Sequence, residues 1–150
     1  MSHTYCQLYY HLVWSTKERQ PIIKNEFKGD LYKYLGGAVR GKEGRLLEIG
    51  GVADHVHLLV ALSSRFSIAE VVQQIKIGSS KWVSQNFFKQ GSFAWQEGYG
   101  AFSVSESIRT QVTQYIQNQE QHHLNCSFRE EFLNLLRRYN VEFDEKYLWK

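Results

Sequence analysis

Residues 45–62 read RLLEIGGVADHVHLLVAL, and their pattern decides the fold. Residues 45–49 form a short strand, Gly50-Gly51 supplies a turn, and residues 52–62 return as the second strand of a hairpin. Side chains alternate along a strand, so Val56, Leu58 and Val60 share one face while His55 and His57 share the other. The apolar face needs a covering layer, and the flanking sequence supplies it. Phe27, Leu31, Tyr34, Leu35 and Ala38 recur at helical spacing ahead of a loop at residues 41–44. Ile68, Val71, Val72, Ile75 and Trp82 form the apolar side of a helix over residues 67–88. Further out, residues 5–15 alternate as a first strand, and the glycine-punctuated residues 93–104 hold at least one more. Ile108, Val112 and Ile116 mark a helix opening near Ser105, and Phe128, Phe132, Leu135 and Leu136 mark a last one.

That order predicts an α+β fold: a ferredoxin-like (RNA-recognition-like) βαββαβ antiparallel sheet with helices on one face and extra C-terminal helices. The second sheet face is then expected to be open to a partner or a site. Binding modules and enzymes both use that face, so the fold alone does not choose between them.

Composition narrows the class. The chain has 150 residues, 43% hydrophobic and 22% charged, with no linker, repeat or low-complexity stretch, which predicts one domain over 1–150. No run approaches the ~18 apolar residues of a membrane span, and the N-terminus lacks a signal-peptide pattern. Cys6 and Cys126 fit a reducing cytoplasm. A net charge of +3 does not by itself argue for nucleic acid, but it is unevenly spread. Residues 71–96 carry Lys76, Lys81 and Lys89 and no acid, whereas residues 130–145 are acid-rich. The basic helix suits a polyanion and equally suits a solvated face. Aromatics reach 15% beside a single proline, Pro21. Aromatic rings build cores and also stack on bases, with Tyr9, Trp14 and Trp82 as candidates for the latter.

Chemistry points to few residues. Two same-face imidazoles, His55 and His57, can share one metal ion or stand as a structural pair. The stripe of Ile108, Val112 and Ile116 continues through Tyr115, Gln119 and His122, with Tyr115 and Gln119 one turn apart. Polar groups on a packed face need a partner or a role. Here they are either hydrogen-bonded at the core edge or a nucleophile and a third ligand. Residues 36–42 imitate a phosphate loop, GxxxxGK, but Glu43 follows where a hydroxyl is required, and a helix precedes it instead of a strand. There is no cysteine cluster for zinc and no G-x-S-x-G elbow.

His55-Val56-His57 is a His-hydrophobe-His (HUH) triplet on a strand, and Tyr115-x-x-x-Gln119 follows on a later helix. With the stretches HLVWSTKERQPII, GGVADHVHLLVAL, WQEGYGAFSVSES and VEFDEKYLW, the chain from about Tyr5 to Trp149 resembles the single-tyrosine HUH transposases. These are the bacterial insertion-sequence 200/605-like enzymes and their REP-associated tyrosine relatives. The resemblance implies a metal-dependent DNA transposase that cleaves and rejoins single-stranded DNA beside a hairpin at the element end. Tyr115 would be the nucleophile, giving a 5′-phosphotyrosine, and His55, His57 and Gln119 would hold Mg²⁺ or Mn²⁺. It further implies a homodimer pairing the histidines of one subunit with the tyrosine helix of the other. The setting would be the bacterial cytoplasm, at the nucleoid when bound to DNA. Two rival readings remain: a single-stranded nucleic-acid-binding module without chemistry, and a metal-dependent hydrolase that uses water.

Overall fold

The computed structural model describes residues 3–88 and 91–150. Strands β1 (Tyr9–Ser15), β2 (Arg45–Val52), β3 (His55–Ala61) and β4 (Gly100–Val104) form one antiparallel sheet in the order β2-β3-β1-β4. Helix α1 (Asn25–Gly41) connects β1 to β2, and α2 (Ile68–Phe87) connects β3 to β4. Helices α3 (Arg109–Gln117), α4 (Gln119–His122), α5 (Phe128–Arg138) and α6 (Glu145–Leu148) complete the chain. This is the α+β, βαββαβ sheet expected from the hydrophobic pattern.

Local chemistry starts the helices. Ser67 Oγ accepts from the Glu70 backbone N–H at 3.0 Å and donates to the Glu70 carboxylate at 3.1 Å, which opens α2. Ser127 Oγ accepts from the Glu130 N–H at 3.2 Å and opens α5 the same way.

Leu12 and Trp14 of β1 join Val56, Leu58 and Val60 of β3 beneath α1 and α2. Phe27, Leu31, Leu35 and Val39 of α1 and Val71, Val72 and Ile75 of α2 are buried there. Each such side chain contributes about 1.5–3 kcal/mol on burial, so this layer carries most of the stability.

The other sheet face is not open. Val13 and Phe102 pack against Phe128, Phe132, Leu135 and Leu136 of α5, while Leu59 and Val104 pack against Val112 and Ile116 of α3. That face alternates histidines with large apolar side chains, and leaving the latter in water would be costly. The apolar stripes of α3 and α5 bury them, and His55 and His57 are sealed in with them.

Other expectations shift for local reasons. The hairpin turns at Ala53-Asp54, and Gly50-Gly51 lie inside β2. A β-carbon on Gly50 would stand 2.2 Å from the Ile116 carbonyl oxygen, so this glycine allows close approach of α3 and does not mark a turn. β1 begins at Tyr9, and Tyr5 is exposed. Asn118, with φ −96° and ψ 19°, separates α3 from α4, so Tyr115 and Gln119 sit on adjoining helices and not on one rigid element.

The basic helix also changes meaning. Lys76 Nζ donates to the carbonyls of Gln96, Glu97 and Gly98 at 2.6, 3.2 and 2.7 Å, tying that loop to α2. Burial lowers its pKa to about 8. Lys81 is exposed, and Lys89 lies outside the described residues. Trp14 is fully buried and unavailable for base stacking. Trp82 stacks on Tyr34 at 5.1 Å, and Tyr9 lies under the Arg109 guanidinium at 5.5 Å.

Candidate active site

The site forms where β3, α3, α4 and α5 meet. His55 and His57 project from β3 away from the main core, as alternation requires, and both are completely buried. Gly50 is the register partner of His57 on β2. Its missing side chain lets the α3 backbone descend beside His57, bringing the Tyr115 ring to 5.8 Å from the His57 ring. Gln119 opens α4 one turn later, with Oε1 3.0 Å from His55 Nε2. The four residues singled out in the sequence therefore converge. They do so within one chain.

At the centre of the cluster is a residue that the sequence reading did not single out. Glu131 of α5 is 2% exposed. Its Oε1 lies 3.0 Å from His57 Nε2, 3.2 Å from His55 Nε2 and 2.9 Å from His123 Nε2. Its Oε2 accepts from Tyr115 Oη and, at 2.9 Å, from Gln119 Nε2. His122 Nε2 stands 3.5 Å away on the same side. A signal for Glu131 existed in the sequence: it falls between Phe128 and Leu135 on the apolar stripe of α5, where an acid is out of place.

A second ring of groups holds the imidazoles. Asp54 Oδ1 is 2.7 Å from His55 Nδ1, His11 Nε2 is 2.7 Å from His57 Nδ1, and the Cys126 carbonyl accepts from His123 Nδ1 at 2.5 Å. Each histidine is gripped through Nδ1 and presents Nε2 to the centre. This is how ligating imidazoles are oriented in metal centres.

The electrostatics follow. Burial depresses His55, but hydrogen bonds to Asp54 and Glu131 outweigh it and raise its pKa to about 9. Burial dominates at His57 and His11, lowering them to about 4 and about 3. Burial also pushes the Glu131 carboxyl up, yet hydrogen bonds from His123, His55 and His57 hold it well below the usual carboxylate range. Burial and then the Glu131 charge raise the Tyr115 phenol above its ordinary value. The centre is thus short of positive charge. Among the described residues, His55, His57, His123 and Glu131 offer ligand atoms within 4.8 Å of one another, a donor set that fits a divalent cation.

A cleft of about 210 Å³ between α3 and α5 leads to Tyr115 and His11, with Gln111 and the exposed Arg138 on its walls.

Comparison with known proteins gives a consistent picture. The family model described as "Transposase IS200 like" matches residues 4–119. The chain is 32% identical over 120 residues to ISDra2 transposase TnpA of Deinococcus radiodurans, covering 75% of this chain and 84% of that protein. It is 25% identical over 125 residues to the transposase for insertion sequence element IS200 of Salmonella typhimurium, covering 79% and 81%. A Deinococcus radiodurans R1 crystal structure, described as that of a transposase, matches with a TM-score of 0.65 at 30% identity, over 79% of this chain and 95% of that one. A REP-associated tyrosine transposase bound to a REP hairpin matches at 0.62 with 11% identity, over 82% and 73%, a likeness of fold.

Proposed function

We propose, for a chain that belongs to the IS200-like transposase family, that Tyr115 cuts and rejoins single-stranded DNA at element ends with His55, His57 and Gln119 as metal ligands. The observation that carries this reading is the convergence of a phenol, two imidazoles and an amide oxygen at one buried centre. Mg²⁺ or Mn²⁺ held there would supply Lewis-acid charge at a non-bridging phosphate oxygen. The residues do the rest. The cleft between α3 and α5 admits the backbone, and Arg138 on its wall offers a guanidinium to phosphate.

Tyr115 must lose a proton to attack, and its raised pKa keeps it neutral at rest. Its hydroxyl donates to Glu131 Oε2, which orients the attacking oxygen. The proton passes to solvent as the Oη–phosphorus bond forms, because a carboxylate held so far below its usual range is a poor base. The bond from phosphorus to the 3′ oxygen breaks, the leaving oxygen takes a proton from solvent, and a 5′-phosphotyrosine remains. Attack by a 3′-hydroxyl on that linkage reverses the step without ATP, which is what rejoining needs. The hairpin of the REP-associated relative suggests the same substrate class here: a single strand beside a stem-loop.

The test is a labelled single-stranded oligonucleotide carrying a hairpin, incubated with Mn²⁺ and denatured. The wild-type protein is expected to retain a covalent adduct that maps to the peptide containing Tyr115. Tyr115→Phe is expected to bind the oligonucleotide and form none. An adduct on another residue, or one that persists in Tyr115→Phe, removes the assignment.

A further inference from the structure

We infer that the ion at this site takes two more ligands from the C-terminal segment, His123 Nε2 and Glu131 Oε1, and thereby clamps α5 onto the sheet. The inference rests on the metal reading above and extends it to residues beyond the family match, which ends at Gln119.

The first argument is spacing. Ligand atoms about 2.1 Å from one ion stand about 3 Å apart when adjacent and about 4.2 Å when opposite. Glu131 Oε1 lies 2.9, 3.0 and 3.2 Å from the Nε2 atoms of His123, His57 and His55, and the four donors fit within 4.8 Å. The three contacts to Glu131 Oε1 are the separations of neighbouring ligands in one coordination shell.

The second argument is hydrogen bookkeeping. The Cys126 carbonyl can only accept, so His123 carries a hydrogen on Nδ1 and has Nε2 alone left to face the Glu131 carboxylate. His55 is engaged at Nδ1 by the Asp54 carboxylate, again an acceptor, so Nε2 is the atom that faces the Gln119 carbonyl oxygen and Glu131. Without an ion, each of these contacts holds only through a proton on Nε2. A cation at that point replaces those protons and takes each Nε2 lone pair directly.

The third argument is burial. A carboxylate 2% exposed needs compensating charge, yet among the described residues the ion pairs to Glu131 come from histidines alone. The ion would supply that charge and join β3, α4 and α5 at one point, while Glu131 Oε2 keeps hold of Tyr115 Oη. Three imidazoles beside one carboxylate and one amide oxygen suit a first-row transition ion such as Mn²⁺ better than Mg²⁺, which favours oxygen donors and bound water.

Mn²⁺ titration followed by electron paramagnetic resonance, with no DNA present, tests this directly. His123→Ala and Glu131→Gln are each expected to weaken Mn²⁺ binding at least tenfold, and His57→Ala to abolish it. Hydrogen exchange adds a second readout: Mn²⁺ should protect the amides of α5 in the wild-type protein and leave them unchanged in Glu131→Gln. The exchange readout also covers a Glu131→Gln protein that folds poorly, because His123→Ala must then lose the ion-dependent protection by itself. Wild-type affinity in both His123→Ala and Glu131→Gln, with affinity lost in His57→Ala, overturns the clamp and leaves the proposed function standing. Wild-type affinity in His57→Ala overturns both. Displacement of Mn²⁺ by an equal concentration of Mg²⁺ overturns the ion class.

Discussion

Adding one methyl group at Gly50 should disable the protein without touching any proposed ligand. Gly50 pairs with His57 across the β2–β3 ladder, and α3 descends onto it. In Gly50→Ala the new β-carbon would stand 2.2 Å from the Ile116 carbonyl oxygen, whereas such contacts are essentially never under 3.0 Å. The α3 backbone must therefore retreat by about 0.8 Å, because the obstacle is main chain and no rotamer change relieves it. Two consequences follow. Overpacking of this kind costs about 1–3 kcal/mol, which a urea midpoint resolves. Tyr115 precedes Ile116 on the same helix, so the nucleophile moves with it, and a misplacement near 1 Å costs up to about 10²-fold in rate. Initial rates of adduct formation on a hairpin oligonucleotide measure the second effect, and Mn²⁺ affinity should fall less, since His55 and His57 stay on β3. Wild-type stability together with a wild-type rate would refute the claim that α3 is seated through Gly50.

Other outcomes can be stated briefly. For the metal-free protein, the histidines set the sign of the pH dependence. His57 and His11 are held at about 4 and about 3 against 6.5, so the unfolded chain binds more protons below pH 6.5 and stability falls as the medium is acidified. His55, raised to about 9, contributes fully below pH 6.5, and its contribution fades as pH climbs to about 9. Urea midpoints should peak near pH 6.5, with limbs of about 1.4 kcal/mol per pH unit for each proton; a midpoint that keeps rising to pH 9 would contradict the role given to His55. Gly29 is exposed within α1, and a β-carbon added there would meet nothing within 4 Å, so Gly29→Ala should stabilise by about 0.5–1 kcal/mol. Thermal unfolding checks it, and a lowered midpoint would count against a regular helix there.

Periodicity alone was enough to identify the βαββαβ order, because alternation in 52–62 and helical spacing in 27–38 and 68–82 report local geometry that each segment obeys by itself. The same alternation placed His55 and His57 on one face, and helical spacing put Tyr115 a turn from Gln119. The break at Asn118 is invisible in the sequence because no proline or glycine announces it. Gly50 misleads because a glycine looks the same in sequence whether it serves a turn or the close approach of a distant helix, and only the position of Ile116 tells which. Glu131, His123, Asp54 and His11 lie on four separate segments, and no spacing rule links them to one centre. Whether an acid on a helix meets water or three imidazoles depends on where that helix docks, and here α5 docks through Phe128, Phe132, Leu135 and Leu136 onto Val13 and Phe102. Long-range packing closed the second sheet face and carried a single carboxylate into the centre of the site, because the apolar half of that face had to be buried and Glu131 rides on the stripe that buries it.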